Sequence, residues 1–344
     1  MKSKSSVVRV LLCILAGTVL LGLTSCGSGA GYNIPIVCGE TNMNDICGIA
    51  TYGVNYYNLG VRAGDMAADI LLEGADVSKM PVRFDPSPAL TVNTSVADEI
   101  GFKIPESVLA KVTGDSTLEV TRVDSAIVSS GGNFTVGILQ LVQHVALDDS
   151  NRGFQDQLSV RMAAAGKTVT ILDENAAGEQ ANNITIAETF VSKKVDLIYT
   201  IATSSSQAAA AATEEIPVVF CAVTDPVDAG LVASMDNPGG NVTGVSDINP
   251  VADQIDLIAE LLGKEDITIG LLYTSAETNS EFQIRLAKQH CEAKGYTYVV
   301  KGINDLNDIQ NAFIALKDVD AIYIPTDNVL ASGAATVHSV NIGG

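Results

Sequence analysis

Short hydroxyl and acidic side chains follow two neighbouring apolar runs in the middle of the chain, at residues 195–201 and 216–223. These side chains are Thr203, Ser204, Ser205, Thr224 and Asp225. Thr203, Ser204 and Ser205 precede a helix predicted over residues 207–215. The free N–H groups at a helix N-terminus favour an anion. Loops that leave the carboxyl ends of parallel strands form the ligand crevice of such sheets. The stretch therefore predicts a site for a small carboxylate, with simple helix capping by the serines as the alternative.

Polar residues also follow other predicted strands along the chain. They are Gln140, His144, Ser246, Asp247, Thr274, Ser275, Asn279, Ser280, Thr326, Asp327 and Asn328. One such set would be ordinary helix capping, but five or six on successive strands line a crevice. The acidic residues that could pair with an ammonium group there are Asp225, Asp247, Asp327 and Glu40. Because an amino acid carries both a carboxylate and an ammonium group, it is the ligand that this combination indicates.

Strand and helix patterns alternate along most of the chain, which is typical of parallel sheets covered on both faces. A turn and a crossing strand near residues 237–250 divide the alternation in two. The predicted fold class is α/β, with two Rossmann-like lobes, parallel sheets and a hinge. Lobe 1 is expected at 133–244 and lobe 2 at 245–344, preceded by a polar linker at 113–132. The segment 34–112 precedes the linker, and a family resemblance implies that it adds elements to both lobes.

Composition excludes several classes of protein. The chain has 344 residues, 20 basic and 40 acidic, and its formal charge of −20 argues against nucleic acid as a partner. No nucleotide-binding glycine motif and no G-x-S-x-G elbow is present. His144 with Asp148 and a loop serine leaves a hydrolase as a minor alternative. The three histidines and the cysteine spacing match no metal pattern, so no cofactor is expected.

The N-terminal residues read as a secretory signal rather than as part of the fold. Basic residues precede an apolar run at 10–23, and small residues then lead to Cys26. This arrangement resembles a bacterial lipobox, which implies a signal peptide at 1–25, lipidation of Cys26 and a flexible tether at 26–33. An ordinary signal peptide or an uncleaved anchor is the alternative. The protein is then expected to work outside the cytoplasmic membrane, anchored by lipid. Most of the remaining cysteines are expected to be buried free thiols, and a disulfide between Cys38 and Cys47 stays open.

Several segments together resemble the ABC-transporter substrate-binding family that includes tryptophan- and tyrosine-type binding proteins. They are VGILQLVQHV at 136–145, IATSSSQAAAAAT at 201–213, VVFCAVTDPVDAGLV at 218–232, PGGNVTGVSD at 238–247, YIPTDN at 323–328 and ATYGVNYYNLG at 50–60. The resemblance implies the type I periplasmic-binding fold, whose two lobes close on a small ligand, usually an amino acid. It also implies a monomer that delivers this ligand to ABC permease subunits. A ligand-sensing binding protein without a transport role is the alternative.

The resemblance also implies roles for individual residues. The loop at 203–205 and Thr224 would hold the carboxylate, and Ser204 stands where family members show proline. Asp327 would face the ammonium group, with Glu40 or Asp225 in reserve. His144 and Tyr52 would lie near the cleft. An aromatic side chain on the ligand is implied by the resemblance alone.

The order of the segments departs from the family pattern. In the family, the segment similar to residues 34–110 comes last, after the segment similar to 134–340. Here it comes first, so the chain reads as circularly permuted, with its ends between the last helix and the first strand. Permutation is tolerated where chain ends are neighbours at the surface. A deletion between tandem copies or a gene-model error would leave the same order.

Overall fold

The computed structural model describes residues 31–113 and 116–344. The strands are β1 (Ile36–Cys38), β2 (Ala50–Gly53), β3 (Arg83–Phe84), β4 (Ala89–Val92), β5 (Ile127–Val128), β6 (Phe134–Gln140), β7 (Val169–Asn175), β8 (Leu197–Ile201), β9 (Val218–Val223), β10 (Val242–Ser246), β11 (Thr268–Thr274), β12 (Thr297–Ile303) and β13 (Ala321–Ile324). The helices are α1 (Thr41–Asn44), α2 (Tyr56–Glu73), α3 (Thr94–Glu99), α4 (Glu106–Leu109), α5 (Val145–Ala164), α6 (Gln180–Lys193), α7 (Thr203–Ala212), α8 (Val251–Leu262), α9 (Thr278–Lys294), α10 (Ile309–Leu316), α11 (Asn328–Ser332) and α12 (Ala334–Ile342).

The strands form two sheets, and each sheet is the centre of one lobe. Lobe 1 has the strand order β3-β10-β9-β8-β6-β7-β5, and every described pair in it is parallel. Lobe 2 has the order β12-β11-β13-β1-β2-β4, in which β4 alone of the described strands runs antiparallel to its neighbour. The predicted α/β class with two lobes of parallel sheet is confirmed.

The central strands of lobe 1 show why the sequence folds this way. Every residue of β8 and β9 is buried, and both strands consist mainly of β-branched and aromatic side chains. A parallel strand with helices on both faces has no polar side, so a continuous apolar run suits it. β9 ends next to lobe 2, since its Ala222 lies in the wall between the two lobes.

The N-terminal segment contributes to both lobes. β1 and β2 lie in the lobe 2 sheet, α2 packs on lobe 1 beside α5, and β4 returns to lobe 2. The contact between α2 and α5 is close because both helices have glycines there. A Cβ added at Gly60 would lie 2.1 Å from the carbonyl oxygen of Ser150, and one at Gly153 would lie 2.2 Å from that of Tyr57. Larger residues at these two positions would push α2 away from lobe 1.

Some predicted boundaries are wrong in ways that have a physical reason. α7 begins at Thr203 rather than at 207, because the Ser206 N–H closes the first turn on the carbonyl of Ala202. The helix predicted over 329–340 is divided at Gly333, where a Cβ would lie 2.2 Å from a methyl group of Leu306. The predicted loop after β1 contains a turn of helix, α1, and the predicted linker contains the short strand β5.

Candidate functional site

A small cavity lies between the two lobes, and side chains from both lobes form its wall. The wall consists of Glu40, Tyr56, His144, Leu147, Ala222, Asp247, Asn279, Thr326, Asp327, Asn328 and Ala331. The cavity has a volume of about 10 Å³, which is room for about one water molecule. An amino acid can therefore enter only if the lobes separate.

Glu40 is held by the helix that follows it. Its side chain is 1% exposed, and its two carboxylate oxygens accept from the backbone N–H groups of Asn42 and Met43, at 2.9 and 2.6 Å. Burial raises the pKa of Glu40 to about 7, and these two hydrogen bonds oppose the rise. Glu40 is thus the N-terminal cap of α1 as well as part of the cavity wall.

Asp327 has a similar structural role at the start of α11. Its Oδ1 accepts from the N–H of Leu330 and from the hydroxyl of Thr274, both at 2.9 Å, and its Oδ2 accepts from the Thr274 N–H at 2.6 Å. Burial raises the pKa of Asp327, and these donors oppose the rise. Both carboxylate oxygens are therefore occupied by groups within lobe 2, which leaves Asp327 less free to bind an ammonium group than its sequence position suggested.

Glu277 lies behind this part of the wall and was missed in the sequence. Its Oε2 accepts from the Asn328 N–H at 2.9 Å, and also from the side-chain amides of Asn328 and Asn279, at 3.0 and 3.2 Å. Burial, followed by the nearby charge of Asp327, raises the pKa of Glu277 to about 7. Glu277 therefore fixes the two asparagines that face the cavity.

Asp247 differs from these three acids because one of its oxygens is unused. It follows β10 and is 1% exposed, and its Oδ2 accepts from the hydroxyl of Tyr56 at 2.7 Å. Among the described residues, none reaches Oδ1 in hydrogen-bonding geometry. Burial raises the pKa of Asp247, and the hydroxyl of Tyr56 and the nearby hydroxyl of Thr224 oppose the rise, although Thr224 forms no hydrogen bond of good geometry with the carboxylate. The cavity wall thus contains a buried carboxylate oxygen that can still accept a hydrogen bond.

The four buried carboxyls have no cationic partner among the described residues. Within residues 31–113 and 116–344, no lysine or arginine forms an ion pair with Glu40, Asp247, Glu277 or Asp327. These residues also include no cluster of side chains suited to hold a metal ion. Buried acids without a counter-charge favour the entry of a cationic group. An ammonium group with three donors suits both the charge and the free oxygen of Asp247.

Two threonines on lobe 1 have unused donors. The hydroxyls of Thr203 and Thr224 are buried, and no described residue hydrogen-bonds to either of them. Thr203 begins α7, and the preceding Ala202 has a φ of 86°, a strained value for a residue with a side chain. The first N–H groups of α7 have no partner within the helix. Neither threonine reaches the closed cavity wall, so a ligand would meet them in a more open arrangement of the lobes.

The remaining predicted residues make contacts inside their own lobes or lie outside the cavity. The hydroxyl of Ser205 donates to Asn183 at 2.8 Å, and that of Ser246 donates to the carbonyl of Thr224 at 2.8 Å. Asp225 accepts from two N–H groups of the turn that follows it. Ser204 and Tyr52 are half-buried, and neither lines the cavity. The structure thus brings together Glu40, His144, Asp247, Asn279, Asp327 and Asn328.

Side-chain contacts of His144 and Arg285 join the lobes across the cleft. The ring Nε2 of His144 on lobe 1 lies 3.4 Å from Oδ1 of Asn328 on lobe 2. Burial lowers the pKa of His144 to about 4, so the ring is neutral near pH 7 and bears no ammonium-repelling charge. Nearer the surface, Arg285 of α9 pairs with Asp228 in the loop after β9 at 2.6 Å. His144 is engaged with an amide, an arrangement unlike that of a catalytic base with its nucleophile.

Tyr56 and Glu277 are the site residues that the sequence interpretation missed. Tyr56 directly follows the first crossing between lobes, and Glu277 directly precedes α9, two residues from the predicted Asn279. A polar residue just before a helix was the signal used elsewhere in the chain, and it applies to Glu277 as well. Nothing in the sequence indicated which tyrosine of the run at 52–57 reaches the cleft.

Comparison with known proteins gives consistent results. The sequence profile of the family described as ABC transporter substrate binding protein matches residues 7–115 and 135–342. A curated relative, the tyrosine-binding protein of Clostridioides difficile, is 39% identical over 206 residues, which are 60% of this chain. The chain spans 59% of the length of that relative.

Solved structures are also similar. The ABC domain in complex with L-Trp from Streptococcus pneumonia is 40% identical and has a TM-score of 0.55, over 60% of this chain and 70% of that one. A conserved domain protein from Vibrio cholerae is 34% identical and also has a TM-score of 0.55, over 60% of this chain and 71% of that one. No helix within the described ranges combines the length and apolarity of a membrane span.

Proposed function

Because the chain belongs to the ABC transporter substrate-binding protein family, a family of solute-binding proteins rather than enzymes, we propose that it binds an amino acid between its lobes for an ABC importer. The observation that carries this proposal is the free, buried Oδ1 of Asp247 in a cavity wall that has no cation of its own among the described residues. An aromatic amino acid is proposed as the ligand, since two relatives are described by their tyrosine and L-Trp binding.

We assign the ammonium group of the ligand to Asp247. Its Oδ2 is held by Tyr56, so the carboxylate is fixed in position while Oδ1 remains available. A charged donor on a buried carboxylate forms a short and strong hydrogen bond. The carboxylate of the ligand is assigned to the N-terminus of α7, with the hydroxyls of Thr203 and Thr224 as donors. Glu40 and Asp327 hold the loops around the ligand in this proposal.

Binding requires that the lobes open and close. A cavity of about 10 Å³ is far below the few hundred Å³ of a ligand pocket, so the described arrangement is a closed one. The lobes are joined by short crossings, such as the one between β10 and α8, which suit a hinge. The contacts His144–Asn328 and Asp228–Arg285 would break on opening. The form proposed to dock on the permease subunits is the loaded one, in which the lobes lie further apart than in the described arrangement and enclose the amino acid.

We further propose that the protein is a monomeric lipoprotein outside the cytoplasmic membrane. The proposed signal peptide at 1–25 and the lipidated Cys26 lie outside the described residues, so the motif alone supports this part. A single lipid chain anchors a protein weakly, and lipoproteins use more than one. Retention of the protein in the detergent phase, and its release to the aqueous phase by Cys26→Ser, would test the anchor.

Contacts between the two ends of the described fold support the proposed permutation. The N–H of Asn33 donates to the carbonyl of Asn341 at 2.9 Å, and Asn341 and Ile34 exchange two further hydrogen bonds at 3.0 and 2.8 Å. The segment that is last in the family is therefore adjacent to the end of this chain. A reordered gene that joins residue 344 to residue 31 and opens the chain within 113–132 should yield a protein with the same ligand affinity.

Calorimetry of the purified protein with single amino acids tests the proposal. L-tryptophan, L-tyrosine or L-phenylalanine should give a saturable heat and raise the melting temperature. If none of the common amino acids does either, the ligand assignment is wrong. A sensing role without transport shares the same site, and uptake in cells that lack the protein distinguishes the two roles. Loss of amino-acid uptake supports import, whereas unchanged uptake supports sensing.

A further inference from the structure

Two buried cysteines lie next to each other directly behind the loop that carries Glu40. Cys38 ends β1, and Cys47 follows α1 by three residues. Their sulfur atoms are 3.9 Å apart, and the residues are 0% and 1% exposed. Both are free thiols in this structure. The two sulfurs must approach each other to reach the roughly 2.0 Å of a disulfide bond.

The residues around the pair keep the two sulfurs close. A Cβ at Gly48 would lie 2.6 Å from the sulfur of Cys38, so the thiol occupies space that a side chain at position 48 would fill. On the other side, the sulfur of Cys47 lies 3.5 Å from the carbonyl oxygen of Met43 in α1. No other cysteine competes for either thiol within the described residues, since Cys221 and Cys291 lie in different core clusters from this pair.

We propose that Cys38 and Cys47 form a disulfide as the protein folds outside the cytoplasm. The bond would tie the end of β1 to the loop after α1, and Glu40 lies between the two linked positions. The inference rests on the extracytoplasmic location that the proposed function includes, because disulfides form and persist in oxidising compartments. The thiols are too buried to meet an oxidant in the finished fold, so the bond forms before α1 closes over β1.

The chemistry needs an external disulfide as oxidant. The thiolate of one cysteine attacks a small disulfide such as oxidised glutathione, and one glutathione thiolate leaves. The second cysteine then loses its proton, attacks the mixed disulfide and releases the second glutathione. In total two protein thiols are oxidised to one disulfide, and one glutathione disulfide is reduced to two thiols. Cys221 and Cys291 are buried in two other core clusters, away from the pair and from each other, so they serve as internal controls that stay reduced.

Peptide mapping of the refolded full chain tests the proposal. The protein is unfolded with reductant, refolded in a mixture of reduced and oxidised glutathione, and alkylated. Cleavage before Asp45 separates Cys38 from Cys47, because Asp45 lies between them. No other aspartate precedes Asp45, so Cys38 stays in the N-terminal peptide. We expect a linked pair of peptides that reductant separates, and tandem mass spectrometry should locate the bond at Cys38 rather than Cys13 or Cys26. Reduction should lower the melting temperature by about 5 °C.

Two results would overturn the proposal. One is full alkylation of Cys38 and Cys47 after refolding, and the other is a linkage of either residue to a different cysteine. Cys47→Ser is the matched variant, and it should show neither the linked peptides nor the temperature shift. Calorimetry on the same samples separates this inference from the proposed function. A protein that forms the bond but binds no amino acid would refute only the ligand assignment, and a protein that binds without the bond would refute only the disulfide.

Discussion

The two walls of the cleft differ in how their polar atoms are used. On lobe 2, Glu40 and Asp327 direct all four carboxylate oxygens to donors within the lobe. On lobe 1, the hydroxyls of Thr203 and Thr224 are buried without such partners. The same is true of the Oδ1 of Asp247, in the segment that leads from β10 to α8. A buried polar atom without a hydrogen bond costs about 1–3 kcal/mol. The acids of lobe 2 therefore stabilise their own lobe, and lobe 1 carries the polar atoms with which a ligand would form hydrogen bonds.

This difference changes which acid is expected to bind the ligand. The sequence pattern favours Asp327, because it follows a strand and precedes a helix in a segment similar to the family motif. In the structure, that same position makes Asp327 a helix cap with no free oxygen. Asp247 is held by one oxygen only, and it belongs to the same kind of motif. Substitutions of these acids and hydroxyls should therefore separate structural support from ligand binding.

The largest effect is expected from Asp247→Asn. The amide keeps an acceptor for the Tyr56 hydroxyl but removes the charge that would face the ammonium group. Loss of one partner of a buried charge pair costs about 2–5 kcal/mol, so calorimetry should show an affinity at least about 30-fold lower, with the melting temperature little changed. Asp225→Asn is the matched control, since that residue caps a turn outside the cavity, and its affinity should equal that of the wild type.

Asp327→Ala should act on stability instead. It removes the cap of α11 and leaves the Thr274 N–H and hydroxyl buried without an acceptor. The free energy of unfolding, measured with denaturant, should fall by about 2–4 kcal/mol. The fraction that remains folded should bind the ligand within about threefold of the wild-type affinity. If affinity is lost while stability is retained, Asp327 is the ammonium partner that the sequence favoured.

Removal of the lobe 1 hydroxyls should cause a smaller loss of ligand affinity and, unlike Asp327→Ala, no loss of stability. Thr203→Val and Thr224→Val each remove a donor that is unpaired in the closed protein. The affinity should fall about 5- to 15-fold, which corresponds to one hydrogen bond of about 1–1.5 kcal/mol. The free energy of unfolding should stay equal or rise. Ser205→Ala is the matched comparison, because it breaks a hydrogen bond to Asn183, and it should lower stability by about 1 kcal/mol without changing the affinity.

Glu277, in lobe 2, should also make the free energy of unfolding depend on pH. The pKa of Glu277 is raised from 4.5 to about 7 in the fold, so the folded state retains a proton that the unfolded chain releases. The free energy of unfolding should therefore fall as the pH rises from about 4.5 through 7, by roughly 3 kcal/mol at most. Glu277→Gln should lose this part of the slope between pH 5 and 8. Glu188→Gln, on the exposed face of α6, should leave the slope unchanged.

The sequence was sufficient for the architecture and for the edge of the sheets where the cleft lies. Apolar runs such as 197–201 and 218–223 allow few other structures, and polar residues just beyond them had to lie at the same edge. Seven of the thirteen predicted binding residues do not line the closed cavity. Three of these, Ser205, Ser246 and Asp225, form hydrogen bonds within their own lobe instead. Which oxygen of a carboxylate is already occupied depends on backbone N–H groups that sequence patterns do not show.

Tyr56 shows a second limit of sequence patterns. It begins a helix that packs on lobe 1, and its hydroxyl reaches Asp247, which is 191 positions away in the chain. The close packing of α2 against α5, which the glycines at 60 and 153 allow, holds the Tyr56 side chain near Asp247. Tyr52 was expected near the cleft because of its motif, but it lies in β2 and packs against the core of lobe 2.

The most direct test pairs a change in the protein with a change in the ligand. Calorimetry compares L-tyrosine with 3-(4-hydroxyphenyl)propionate, which lacks only the amino group, on the wild type and on Asp247→Asn; the matching tryptophan pair is used if L-tryptophan binds more tightly. Removal of the amino group should weaken binding to the wild type by at least about 30-fold but change binding to the variant about threefold or less. Equal losses on both proteins would show that the ammonium group contacts a residue other than Asp247.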